Sequence, residues 1–194
     1  MENYEEFLEE ILIEEGDLQA RIKELGSEIS ADYEGQDLLL ICILRGGVVF
    51  LTDLMRTLTV PHMIDFMAVS SYGTGSRQSE GQVRITLDLT TSIVGRNVLL
   101  VEDIIDSGNT IASVLAMLET RKPKSLKICT LLDKPERRES EVPVHYRGFE
   151  IPNKFVFGYG LDLDGYFRNL PFIGVVRTGK YIHPNNSNHA RKSD

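Results

Sequence analysis

The chain has 194 residues, 42% of them hydrophobic and 26% charged, with a formal net charge of −8. That length and composition suit one globular domain with a sizeable core, and they exclude a disordered or low-complexity chain. The acidic balance argues against a nonspecific grip on nucleic acid or an anionic membrane, so any phosphate must be met by local groups.

The opening MENYEEFLEE is acidic and precedes no apolar run of the export-signal kind, and no stretch approaches the length of a membrane span, so the reading is a cytoplasmic protein. Glu5, Glu6, Glu9, Glu10, Glu14 and Glu15 read as a solvated face. Ile22, Leu25 and Ile29 share one stripe of a helix that follows the turn-like Glu15-Gly16-Asp17, with Asp17 as its N-cap. Residues 37–44 form an apolar run that predicts a buried strand, ending at Arg45-Gly46-Gly47. Val48, Leu51, Met55 and Leu58 then recur at helical spacing. Two glycines alone serve a tight turn, and a cation beside them at a helix start also suits an anion. Cys42 and Cys129 sit inside apolar runs with no metal-ligand spacing around them, which predicts buried thiols.

Residues 62–70 form a third apolar stretch, and the Gly- and Ser-rich residues 71–81 then break every period, as a flexible loop does. Gly73 and Gly75 do not make a dinucleotide fingerprint, because position 78 is Gln and no helical period follows. Val83 to Leu87 alternates as a strand and completes a flap with that loop.

The most informative stretch is residues 97–110, NVLLVEDIIDSGNT. Val98-Leu99-Leu100-Val101 predicts a buried parallel strand that stops where Glu102 and Asp103 begin, with Asp106 close behind. Ser107, Gly108, Asn109 and Thr110 form a small polar loop, and Ile111, Val114, Leu115 and Leu118 carry one buried face of a helix. Such a loop at a helix N-terminus offers backbone N–H groups and the positive end of a dipole to a phosphate. Two adjacent carboxylates at a strand's end accept hydrogen bonds from sugar hydroxyls, or hold Mg²⁺ directly or through water. Three clustered acids repel one another unless a cation answers them. Farther on, residues 125–132 predict another strand, and Lys134 stands at its carboxyl end, the edge of an open α/β sheet where ligands bind.

The thirteen residues from Val98 to Thr110 closely resemble, without a gap, the phosphoribosyl-pyrophosphate motif of the type I phosphoribosyltransferases. That resemblance implies an α/β fold, a parallel sheet flanked by helices with a flexible flap loop and a small hood. It implies a single domain over residues 1–194, with a core at roughly 35–150 and a hood from the N-terminal segment and roughly 151–180. Arg45 and Gly46 align with the family's pyrophosphate loop, where a strained peptide turns backbone N–H groups toward the leaving group and Lys is commoner than Arg. Ser71 and Tyr72 match the Ser-Tyr pair of the flap, and Lys134 matches the lysine that binds the oxygen at C6 of a purine. Residues 151–174 strongly resemble the C-terminal block of the hypoxanthine–guanine branch. There Phe155 matches the aromatic stacked on the base, Val156 the backbone that meets the purine edge, Asp162 the acid near a second magnesium, and Arg168 the arginine facing pyrophosphate.

What the resemblance implies is transfer of a phosphoribosyl group from phosphoribosyl pyrophosphate to a 6-oxopurine in purine salvage. Residues 107–110 would grip the 5′-phosphate, Glu102, Asp103 and Asp162 would serve Mg²⁺, and Asp106 would act as the base. The implied partners are those two substrates, in a homodimer or homotetramer. A nucleic-acid-binding regulator that keeps the pocket without catalysis, and a xanthine- or pyrimidine-preferring transferase, are the alternatives.

Overall fold

Residues 38–44 and 97–101 are apolar at every position but Asn97, because the strands they form are covered on both faces. The computed structural model describes residues 3–71 and 83–179, with Ser71 described by its backbone alone. In chain order the elements are β1 (Leu8–Ile13), α1 (Glu15–Asp32), β2 (Leu38–Leu44), α2 (Val48–Thr57), β3 (His62–Ser71) and β4 (Val83–Leu87). There follow β5 (Asn97–Ile105), α3 (Asn109–Glu119), β6 (Ser125–Asp133), β7 (Tyr146–Glu150), β8 (Val156–Phe157) and β9 (Ile173–Val176).

The large sheet runs β4-β3-β2-β5-β6-β7. All its pairings are parallel except β3 with β4. Alternate residues of its strands feed two cores. Leu40, Cys42, Leu99 and Cys129 pack with Leu18, Ile22, Leu25 and Ile29 of α1 and with Phe50, Leu51 and Leu54 of α2. Leu39, Ile41, Leu100 and Ile128 pack with Ile111, Val114 and Leu118 of α3. Helices therefore cover both faces, and Leu40→Ala, which empties a fully buried site, costs about 2–5 kcal/mol. A second, antiparallel sheet runs β1-β9-β8. Among the described residues, no helix is long and apolar enough to cross a membrane.

Several expectations change. The central strand does not stop at Val101: β5 continues through the acids to Ile105, because Glu102, Ile104 and Ile105 still pair with Thr130, Leu132 and Asp133 of β6. On the other side, pairing with β2 ends at Cys42 and Val101. The acids thus leave a strand that has lost one neighbour, at the point where the chain order of the sheet reverses between β2 and β5, which is the ligand crevice of an open α/β sheet. Asp17 is not the cap of α1. Glu14 holds that position without a side-chain bond, and Asp17 lies inside the first turn, where its charge suits the dipole. The stripe of α2 is shifted too: Phe50 and Leu54 join Leu51 in the core, while Val48 and Met55 are only partly buried and Leu58 lies past the helix end. The acidic N-terminal face is exposed and both cysteines are fully buried, as expected.

Candidate active site

Gly108 ends the loop after β5 at φ +84°, a conformation that L side chains rarely adopt, and α3 begins at the next residue. The first-turn N–H groups of such a helix lack intrahelical partners and point toward the space before it. The loop is held from behind by the segment after β6. Ser107 O accepts from Glu139 N at 2.9 Å and from Ser140 N at 3.1 Å. The Asn109 side chain donates to Glu139 Oε2 at 2.7 Å and accepts from Ser140 Oγ at 2.6 Å. Asn109 is therefore spent on the loop's own architecture, its backbone N–H also donating to Ser107 Oγ at 3.4 Å, while Thr110 is exposed.

Glu102 and Asp103 are partly exposed as residues, but their carboxylates sit deep in the crevice. Glu102 Oε2 is buried and has no hydrogen-bond partner. Burial, with Asp103 beside it, raises the Glu102 carboxyl well above the usual range. Burial also pushes Asp103 up to about 6, against the pull of the backbone N–H of Ile104, which it accepts at 2.8 Å. Two carboxylates held this way, one oxygen unanswered, suit a divalent cation or a sugar hydroxyl. Among the described residues, no three His, Cys, Asp or Glu side chains are grouped to enclose a metal. Mg²⁺, which keeps waters and substrate oxygens around it, takes only one or two carboxylates, the number that Glu102 and Asp103 offer.

The opposite wall is assembled from distant segments. The Leu44–Arg45 peptide bond is cis, and Arg45 is exposed. Gly46 lies flat against Asp103: a Cβ there would stand 1.5 Å from Asp103 Oδ2. On its other side Gly160, at φ +98°, is so close that a Cβ would meet Gly46 O at 2.2 Å. Arg168 donates through Nη1 to Gly160 O at 2.6 Å and pairs through Nη2 with Asp162 Oδ1 at 2.6 Å. Asp162 Oδ2 accepts from Gly165 N at 2.6 Å. Arg168 and Asp162 both act on the charge of Asp103, so the structure gathers Gly46, Asp103, Asp162 and Arg168 at one place. Both oxygens of Asp162 are engaged, unlike Oε2 of Glu102.

Lys134 opens the 3-10 turn after β6 and is buried, its backbone N donating to Ile105 O at 3.0 Å. Burial holds its ammonium below the ordinary value, while Asp106 opposes that shift and Arg137 adds to it. Asp106 pairs with Arg137 at 3.2 Å, and both are about half exposed. Phe155 is 43% exposed and Val156 is buried. The Phe155 ring borders a cavity of about 570 Å³ that Arg137, Asn153 and Val175 also line. Ser71 ends β3 and pairs with Val83, and Tyr72 and the loop to residue 82 lie outside the described residues.

Sequence reasoning missed Asp133 and Arg138. Asp133 is buried and pairs with Arg138 and, at 2.8 Å, with Arg147. Arg138 Cδ and Ser140 O close over Gly108, where an added Cβ would stand 3.0 and 2.7 Å from them. The signal was present, since an acid inside an apolar strand followed by two arginines calls for a pairing.

Residues 12–164 match the family described as the phosphoribosyl transferase domain. The chain is 50% identical over 169 residues to the hypoxanthine phosphoribosyltransferase of Salmonella typhimurium, which spans 86% of this chain and 94% of that protein. It is 50% identical over 175 residues to the hypoxanthine-guanine phosphoribosyltransferase of Mycobacterium avium, at 87% and 86% coverage. The crystal structure of a hypoxanthine phosphoribosyltransferase from Staphylococcus aureus superposes with a TM-score of 0.88 at 42% identity, covering 94% of this chain and 100% of that one. With a polar loop at the start of α3, an acid pair and a glycine shelf near the sheet's switch point, the chain belongs to the phosphoribosyltransferase family.

Proposed function

We propose that the protein transfers the 5-phosphoribosyl group from phosphoribosyl pyrophosphate to N9 of hypoxanthine or guanine, giving the nucleoside 5′-monophosphate and pyrophosphate. The observation that carries the choice of base is Lys134, a buried ammonium beside Asp106 at the carboxyl end of β6. A donor-only group meets the 6-oxo oxygen of hypoxanthine or guanine, and it leaves the 6-amino group of adenine without an acceptor. The similarity to hypoxanthine phosphoribosyltransferases supports the same choice.

In this reading the large sheet is the core and the small sheet, with residues 151–179, a hood beside its crevice. Residues 107–110 bind the 5′-phosphate at the start of α3. Glu102 and Asp103 orient the ribose hydroxyls and hold Mg²⁺, with Asp162 serving a second ion once it releases Arg168. When bound, Mg²⁺ offsets the charge that gathers on the departing pyrophosphate. Gly46 lets that group approach the backbone beside Arg45, and Arg168 supplies a guanidinium on the same side. Phe155 stacks on the base and Val156 meets its edge through the backbone. Asp106 accepts the N7 proton as N9 bonds to the anomeric carbon, and Arg137 must then yield the carboxylate it holds.

The test is pyrophosphate release from phosphoribosyl pyrophosphate with Mg²⁺, one base at a time. Turnover with hypoxanthine or guanine, and none with adenine or uracil, is expected. Binding of the sugar pyrophosphate without turnover on any base would overturn the enzyme and favour a regulator that only senses the ligand. Asp106→Asn is expected to lower kcat by about 10²–10⁴-fold with little change in sugar-phosphate affinity. Equal loss of both would contradict its role as base.

A further inference from the structure

Tyr159 is 3% exposed and sits at φ +48° between Gly158 at +94° and Gly160 at +98°. A bulky residue in the left-handed region is uncommon and persists where its surroundings over-determine it. Here they do. The phenol donates to Asp53 Oδ2 of α2, and the Gln19 amide of α1 donates to the same oxygen at 3.0 Å and toward the phenol oxygen at 3.4 Å. The backbone on each side is held as well, Tyr159 N by Leu170 O and Gly160 N by Arg168 O, both at 2.9 Å.

The consequence lies one residue away. Asp53 belongs to the helix that begins directly after Arg45-Gly46-Gly47, so the phenol ties the turn after β8 to the element carrying that loop. Gly160, next in the chain, is the residue that touches Gly46 O, and its own carbonyl holds Arg168. The two walls of the pyrophosphate side therefore meet at a contact with no spare room, next to a hydrogen-bonded triad that joins the elements carrying them.

We infer that Tyr159, Asp53 and Gln19 form a positioning clasp that sets the gap between Gly46 and the Asp162–Arg168 segment, and so controls pyrophosphate affinity separately from nucleotide affinity. The inference rests on the transferase reading above. Loss of the phenol hydroxyl leaves the ring buried but unties the turn that carries Gly160 and Arg168 from α2, so Arg168 and the Gly46 shelf no longer present a fixed site to the leaving group. The 5′-phosphate loop, built between β5 and α3, is untouched by the change.

The experiment compares wild type, Tyr159→Phe, Asp53→Asn and Gln19→Ala, with thermal melting as a check that each folds. Gln19 is exposed, so its variant folds even if the buried changes do not. Tyr159→Phe is expected to raise KM for pyrophosphate in the reverse reaction, and for phosphoribosyl pyrophosphate in the forward one, by about tenfold. The dissociation constant for inosine monophosphate should stay within about twofold. Gln19→Ala should show the same split at about threefold. The Tyr159→Phe, Asp53→Asn double variant should lie close to Tyr159→Phe alone, since without the phenol hydroxyl the side chain at position 53 has no tie left to the Tyr159 turn. A residue that only stabilises the fold would lower the melting temperature without that split. Equal weakening of nucleotide and pyrophosphate, or no change in either, overturns the clasp. A wild-type protein that binds neither ligand overturns the transferase reading beneath it.

Discussion

Every group of the loop proposed to bind phosphate comes from one stretch of chain between β5 and α3, whereas the facing wall joins Gly46, Asp103, Gly160 and Arg168 from separate segments. The loop is a local structure, braced from behind by Ser140 and Arg138 but built from its own turn. The facing wall has no local structure of its own. It exists because two glycines let backbone and carboxylate approach within distances that any side chain would forbid. A local loop distorts gracefully under substitution, and a wall made of contacts between distant segments comes apart.

Gly46→Ala breaks the comparison most severely. Its Cβ would fall 1.5 Å from Asp103 Oδ2, so either the carboxylate or the loop must move. Displacements of about 1 Å at a positioned site cost roughly a hundredfold, so kcat/KM should fall by at least about that factor. Steady-state kinetics with the folded variant checks it, and a loss under about tenfold would mean the shelf is softer than its contacts indicate. Gly108→Ala sharpens the contrast from the other end. Its φ of +84° and the 2.7 Å approach of Ser140 O make the substitution strained as well. The strain, about 1–3 kcal/mol, is borne by one turn. We expect KM for phosphoribosyl pyrophosphate to rise about tenfold with kcat nearly unchanged.

The same contrast explains what could be read from the amino-acid string. Strand, acids, turn glycine and amphipathic helix follow one another within residues 97–119, so their chemistry was legible without any tertiary information. The alternate burial of Leu39, Leu40, Ile41 and Cys42 into two cores was implied by an unbroken apolar run. The end of β5 was misjudged because acids were taken to stop a strand, and here one neighbouring strand keeps pairing while the other departs. Asp17 was misjudged for a different reason: an acid anywhere in the first helical turn satisfies the dipole, so residue type alone does not locate the cap. The contacts of Gly46 with Gly160 and of Tyr159 with Asp53 join segments with no shared period, so no local pattern encodes them.

Lys134 supplies a test of intermediate size. Lys134→Met keeps the buried stem and removes the ammonium, leaving Asp106 with its Arg137 pair. Discrimination between hypoxanthine and adenine should narrow by about tenfold or more, measured as the ratio of the two kcat/KM values. An unchanged ratio would place the choice of base on other groups.

The smallest expected effect separates the two ends by pH. Asp103 is pushed up to about 6, well above its ordinary 3.8, and Glu102 is raised as well. Between these values the free folded protein holds a proton that the unfolded chain has already lost. Stability from this group therefore falls as pH rises from about 4 to 6, and Glu102 extends the trend to higher pH. Ligand binding runs the opposite way, because a cation or ribose hydroxyls need the ionised carboxylates. Affinity for the magnesium complex of phosphoribosyl pyrophosphate should weaken below about pH 6, by at most roughly tenfold per pH unit for each proton released. Asp103→Asn, which removes the repulsion between the two acids, should raise the melting temperature of the free protein by about 2–4 °C near neutral pH and flatten its dependence below that. The same variant should bind the sugar pyrophosphate poorly. If instead the free protein melts lower without that carboxylate, the acid pair is already stabilised by its surroundings, and the crevice has no need of the cation that its unanswered oxygen invites.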